Sequence, residues 1–282
     1  MKTPIRLTLA VLLATACGDE PTDPTDENTE LSIVFKPMVG SQDFACGQTY
    51  TGLGTTATTY EPKDFRLYIH NVRLVSHGTE VPLTLTDDGA WQRDGVALLD
   101  FENKTGLCSN GTEATNNRLV GTAPENHYTG LRFTVGVPFE KNHLDASTAA
   151  SPLNVSTLFW SWEGGYKFLR LDGRTRGLPS GHNLHLGSTG CQTSGPNQVT
   201  SCQNSNRFEV EITDFDFTAS SVVLDVATLF GNSNLDANQA QSAPGCMSTS
   251  DDADCAPVFQ RLGLAFGGTQ ANPSGQLFFR KE

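Results

Sequence analysis

Positive charge is scarce in this 282-residue chain: 19 Lys and Arg stand against 31 Asp and Glu, for a net charge of −12. With no basic face to displace phosphate counterions, nucleic acid is excluded as a partner. Charged residues of both signs reach only 18%, too few for a coiled coil, and 16 Phe are too many for a disordered chain. Chemical motifs are missing as well. There is no Cys-x-x-Cys and no Cys-x-x-Cys-His, which removes zinc knuckles, thioredoxin chemistry and covalent c-type haem. No His-Glu-x-x-His, Gly-x-Ser-x-Gly or Gly-rich phosphate loop occurs, so hydrolase and nucleotide-binding readings have no support. The expectation is a protein that is not an enzyme.

The first thirty residues are of a different kind from the rest. Lys2 and Arg6 precede an apolar stretch, residues 7–16, that is too short to span a bilayer and has the form of an export signal. Cys17 at its end resembles the acylated cysteine of bacterial lipoproteins, and Gly18 after it resembles those sent to the outer membrane. Residues 18–30 carry Asp19, Glu20, Asp23, Asp26, Glu27 and Glu30 among prolines and threonines, a self-repelling composition expected to form an extended tether. The expected organisation is a signal over 1–17, a tether over 18–30 and one domain over 31–282, lipid-anchored in the cell envelope on the periplasmic or surface face.

Once Cys17 is acylated, Cys46, Cys108, Cys191, Cys202, Cys246 and Cys255 remain. An even number in an exported chain reads as three disulfides, of which sequence alone cannot choose among the fifteen pairings. Local closure favours Cys191 with Cys202 and Cys246 with Cys255, leaving Cys46 for Cys108.

Where periodicity is clear it is two. Leu131, Phe133, Val135, Val137 and Phe139 alternate with Arg132, Thr134, Gly136 and Pro138, and Phe208, Val210 and Ile212 alternate with Glu209, Glu211 and Thr213. Further strands are expected at 31–39, 65–75, 81–85, 96–101, 166–171, 184–186, 222–227 and 277–280, with short helical turns as alternatives within 221–230 and 258–264. Gly, Pro, Asn and Asp clusters separate these segments. The fold class this predicts is all-β: a single antiparallel β-sandwich with long, disulfide-stapled loops.

Six histidines are present: His70, His77, His127, His143, His182 and His185. His182 and His185 are three apart on an expected strand, so they point to opposite faces and cannot chelate one ion together. Asn232, Asn234, Asp236 and Asn238 put side-chain oxygens at alternate positions, a pattern that suits calcium but lacks the Glu and turn Gly of an EF-hand. Trp91 lies in a polar loop, whereas Trp160 and Trp162 belong to an aromatic run, residues 158–172, expected to pack as a core strand and turn.

Several of these stretches, taken in order, resemble one family. Phe-Arg-Leu-Tyr-Ile-His-Asn-Val-Arg-Leu-Val (65–75), Val-Ala-Leu-Leu-Asp-Phe (96–101), Gly-Val-Pro-Phe (136–139) followed by Asn142 and His143, the Trp-Ser-Trp-Glu-Gly-Gly-Tyr-Lys-Phe run and His-Leu-Gly-Ser-Thr-Gly-Cys (185–191) look like the MbnP-like copper-binding proteins, or metallo-mystery pair four-Cys proteins. Pro-Gly-Cys-Met (244–247) and Asp-Cys-Ala-Pro (254–257) continue the match. The resemblance implies an exported copper-binding protein, for copper acquisition or buffering, paired with a di-haem cytochrome c peroxidase-like partner of the MbnH type. That partner oxidises one tryptophan to kynurenine, which joins histidines in binding copper. As aligned here, Trp91 is the modified residue, and His70, His143 and His185 fall in matching motifs as ligands. His77, His127 and His182 do not, and are expected at the surface. The alternative of another class is a β-sandwich adhesion or carbohydrate-binding module without copper, its aromatics serving as stacking platforms.

Overall fold

The computed structural model describes residues 28–282. The expected signal, the acylated Cys17 and the tether as far as residue 27 lie outside the described residues. The tether's expected end is corrected: Asn28, Thr29 and Glu30 open the strand Asn28–Val39, paired with Pro124, Ala123 and Thr122. Their side chains are exposed, and backbone pairing is indifferent to side-chain polarity.

Two sheets face each other across one core. The smaller sheet runs Phe279–Lys281, Val222–Asp225, Asn28–Val39, Arg118–Pro124 and Thr84–Leu85, with Gln42–Asp43 paired to the end of Asn28–Val39. The larger is organised on the long strand Thr58–Ser76. Tyr50–Leu53, Val96–Asp100 and Thr79–Pro82 pair along one edge of that strand. Leu169–Thr175 and Gly130–Val135 pair along the other. Beyond Leu169–Thr175 come His182–Leu186 and then Gly245–Cys246. Phe35 of the small sheet meets Phe133 of the large one edge to face, 5.6 Å between ring centres, so the sandwich is closed by the alternation visible in the sequence. Most pairs are antiparallel, but Asn28–Val39 with Val222–Asp225, and His182–Leu186 with Gly245–Cys246, are parallel.

Three local expectations shift. The alternation through Phe139 stops at Val135; Pro138 starts a short helix, Phe139–Asn142, and Phe139 is exposed. Helical turns do form at Val226–Leu229, capped by the Asp225 side chain, and at Cys255–Arg261. A polar hairpin, Thr189–Gly195 with Gln198–Asn204, carries no apolar alternation and gave no strand signal. The disulfides are Cys46–Cys108, Cys191–Cys202 and Cys246–Cys255. Among the described residues no helix is long and apolar enough to cross a membrane.

The large sheet is covered on its other face too. Tyr68, Val96 and Leu98 point away from the sandwich core and form a second apolar cluster with Val137, Leu158, Tyr166 and Phe168, under the excursion that follows Gly130–Val135. The candidate metal centre lies on that covered face.

Candidate metal centre

A two-residue period and the strand register decide which side chains share the face. Arg66, Tyr68 and His70 alternate with the core residues Phe65, Leu67 and Ile69. Arg170 pairs with Arg66 and His185 with Arg170, which puts His185 on the outer face, while Leu184 and Leu186 enter the core. His182 turns inward with them. It is 1% exposed with its ring against Phe230, which corrects its expected surface position, and burial pushes its pKa down to about 4. His77 and His127 are exposed, as expected.

His185 and Gly187 follow one another on the outer face, and Trp160 lies directly on Gly187. A Cβ at that glycine would come within 2.4 Å of Trp160 Cζ3. The parallel register of Asn183 with Gly245 and Leu184 with Cys246 then brings Met247 alongside His185. Trp160, Met247, Ser188 and Cys191 line one open cavity of about 600 Å³. His185 Nε2 stands 2.9 Å from Asp172 Oδ1, at ion-pair distance but out of line for a hydrogen bond, and neither atom has another partner. Asp172 is held below the usual carboxylate range: burial pushes its pKa up, but His185 and Arg170 outweigh that.

His143 caps the Phe139–Asn142 turn beside the Cys191–Cys202 disulfide. Its Nδ1 lies 2.9 Å from the Trp162 carbonyl, its Nε2 3.1 Å from Asn142 Nδ2 and 3.6 Å from Cys202 Sγ. The carbonyl can only accept, so Nδ1 carries the proton and Nε2 keeps its lone pair. Asn142 is itself fixed, its Oδ1 accepting the Tyr166 N–H at 3.0 Å inside a turn where a Cβ on Gly165 would strike it. His70 is half-buried with Nδ1 2.8 Å from the Gly136 carbonyl. Burial lowers the pKa of both His70 and His143, and the Arg207 cation adds to it, so both rings are held neutral, the form that binds metals.

The four residues expected to form one site are not brought together. Trp91 lies opposite Leu98, two strands to one side of Tyr68; His185 lies two strands to the other side of Arg66. Four inter-strand spacings and a two-residue step separate their Cα atoms by about 20 Å, beyond the reach of two side chains on one ion. His70 is likewise about 16 Å from His185. Trp91, half-buried rather than free in a polar loop, packs on the second cluster and lines a cavity with Arg66 and Asp100 that holds no His or Met. Trp160 was expected to be packing, because its neighbours in sequence are aromatic. Its packing on Gly187 is a tertiary contact that leaves no mark in the sequence.

The proposed calcium loop is corrected. Asn232 Oδ1 accepts from Arg261, Asn234 Oδ1 from the Asp236 N–H and Asn238 Oδ1 from the Gly245 N–H. The Asp236 carboxylate accepts from Thr56, Thr58 and the Gly177 N–H. Its oxygens stitch loops together and are not free for an ion. Met38 is buried in the core. Among the described residues one His, Cys, Asp and Glu group has metal-ligand spacing, His143 with Cys191 and Cys202, whose ligand atoms lie within 4.8 Å of one another. Its sulfurs are bonded to each other and offer no thiolate.

These features define a class: a disulfide-stapled β-sandwich whose outer sheet face carries a thioether and an indole in one open cavity, with the buried His185 beside them on the strand register. The MbnP family matches residues 28–248, and the chain belongs to it. Among solved structures it is similar to MbnP from Methylosinus trichosporium, with a TM-score of 0.80 and 31% identity over 90% of this chain and 98% of that one. Among curated proteins none matches.

Proposed function

We propose that this protein is a lipid-anchored, non-enzymatic copper carrier or buffer of the cell envelope. Its metal centre is completed when a di-haem peroxidase-like partner oxidises Trp160 to kynurenine. The observation that carries this reading is the placement of Trp160, against Gly187 and in one cavity with Met247, beside His185. The donors fit copper: imidazole suits Cu in either oxidation state, and thioether selects the cuprous ion. An intact indole offers only an N–H donor, so it contributes nothing to coordination. Peroxide-driven cleavage of the indole C2–C3 bond adds an oxygen at each carbon, and hydrolysis then releases C2 as formate, leaving an aromatic amine with a usable lone pair. Asp172 Oδ1 stands 2.9 Å from His185 Nε2, and a small ring rotation into line for a hydrogen bond would let it orient the ring and leave Nδ1 for the metal, the usual outer-shell arrangement of a ligating histidine. Trp160 is preferred over Trp91 because the Trp91 cavity has no soft donor.

Co-expression with the partner followed by peptide mass spectrometry tests this. Kynurenine is expected in the Trp160 peptide, with Trp160→Phe folding but failing to load copper and Trp91→Phe loading normally. Kynurenine in the Trp91 peptide would move the site to that residue. Tight binding of one copper with all three tryptophans intact would overturn the mechanism.

A further inference from the structure

We propose that the Cys191–Cys202 disulfide masks a second soft-metal site: once a thiol or dithiol reductant opens it, the two thiolates and His143 Nε2 bind one cuprous ion. Three observations carry this. The ligand atoms are already gathered, with His143 Nε2 3.6 Å from Cys202 Sγ and all three within 4.8 Å. The histidine is prepared in its tautomer, since the Trp162 carbonyl holds the proton on Nδ1; the Nε2 lone pair, which faces Cys202 Sγ and accepts from Asn142 Nδ2 at 3.1 Å, exchanges that one bond for the metal. And this disulfide is the accessible one. Both its cysteines are half-exposed, whereas Cys46, Cys108, Cys246 and Cys255 are buried.

The hairpin that carries the disulfide explains why opening it is tolerable. Thr189–Gly195 and Gln198–Asn204 form a two-stranded sheet of their own, outside the sandwich, and remain paired through backbone bonds when the S–S bond is cut. Reduction consumes two electrons: two external thiols become a disulfide, and the protein's S–S bond becomes two S–H groups. Each thiol then loses its proton as the metal binds, and the copper keeps its oxidation state. Two thiolates and one imidazole make three donors. Zinc in structural sites takes four, whereas soft thiolate ligands select Cu(I), so a three-donor set favours the cuprous ion. The site adjoins the Trp160 cavity, which Cys191 also lines, but takes neither Trp160 nor His185 as a ligand, so it can be tested with Trp160 replaced.

The test uses the full mature chain. After mild reduction by a phosphine under anaerobic conditions, alkylation and peptide mapping should label Cys191 and Cys202 before the other four. Cuprous titration against a chromogenic chelator should then show one more bound copper per chain than in the oxidised protein. That extra copper should persist in Trp160→Phe, vanish in the Cys191→Ser/Cys202→Ser double variant, and bind about tenfold more weakly or worse in His143→Ala. Circular dichroism of the variants shows whether the sandwich is intact; the hairpin lies outside it, so an unchanged spectrum is expected. Equal labelling of all six cysteines, no gain of copper on reduction, unchanged affinity in His143→Ala, or tighter uptake of zinc than of cuprous ion would each overturn the proposal.

Discussion

Asp64 and Arg66, two residues apart on one face of the central strand, form a bidentate ion pair whose side chains are 0% and 1% exposed. Arg66 Nε and Nη2 donate to the two carboxylate oxygens at 2.7 and 2.5 Å. Arg170 Nε approaches the same carboxylate at 3.2 Å, and also bonds Asp172, which faces His185. One buried chain of charges thus runs across three strands and ends at the candidate ligand.

Breaking that chain at its centre should be costly. Arg66→Met leaves Asp64 with one buried cation fewer, and Asp100 and Glu102 also lose its field. A loss of about 3–5 kcal/mol is expected from urea denaturation, with Asp64→Leu added to it restoring part of the loss.

Gly187 should be irreplaceable for the site but not for the fold. Gly187→Ala drives a methyl group to 2.4 Å from Trp160 Cζ3 and 2.8 Å from the Tyr166 carbonyl, so the small hairpin that carries Trp160, Phe159–Ser161 paired with Gly165–Tyr166, must move off the sheet. Tryptophan emission should shift and copper loading fall, while far-ultraviolet circular dichroism stays unchanged. Normal loading would show that Trp160 need not lie where it does.

The disulfides should differ in what their loss costs. Cys46–Cys108 spans 62 residues and Cys191–Cys202 spans 11. In the chain-entropy account, deleting the first costs about 4 kcal/mol and the second about 3 kcal/mol. Replacing each pair with Ser and comparing urea midpoints checks the order.

Acid should destabilise the protein through His182. Its folded-state pKa of about 4 lies below the value near 6.5 expected once unfolded, so the unfolded chain takes up a proton first as pH falls. The stability is fully present above about pH 6.5 and is lost progressively down to pH 4, by about 3 kcal/mol. His182→Leu removes the titrating group and the unpartnered Nδ1 in an apolar setting, so it should flatten stability over that window. An unchanged slope would show that other groups dominate it.

Composition and period two determined the β-sandwich, and the six cysteines with local closure indicated the three bridges, because both depend on residue type and on nearness along the chain. The polar hairpin at 189–204 and the pairing of Asn28–Glu30 left no mark in the sequence, since neither buries an apolar stripe. The family was legible from motifs in order, and His185 and His143 stood within them. The site itself was not. Trp91 and His185 lie about 20 Å apart because strands distant in sequence are neighbours in the sheet and neighbours in motif are not. Residue types could say that histidine and methionine offer donors to a soft metal and that an unmodified tryptophan does not. Only the tertiary structure decided the rest: the parallel register of His182–Leu186 with Gly245–Cys246 puts Met247 beside His185, because side-chain direction alternates along each strand, and packing on Gly187 brings Trp160 to them.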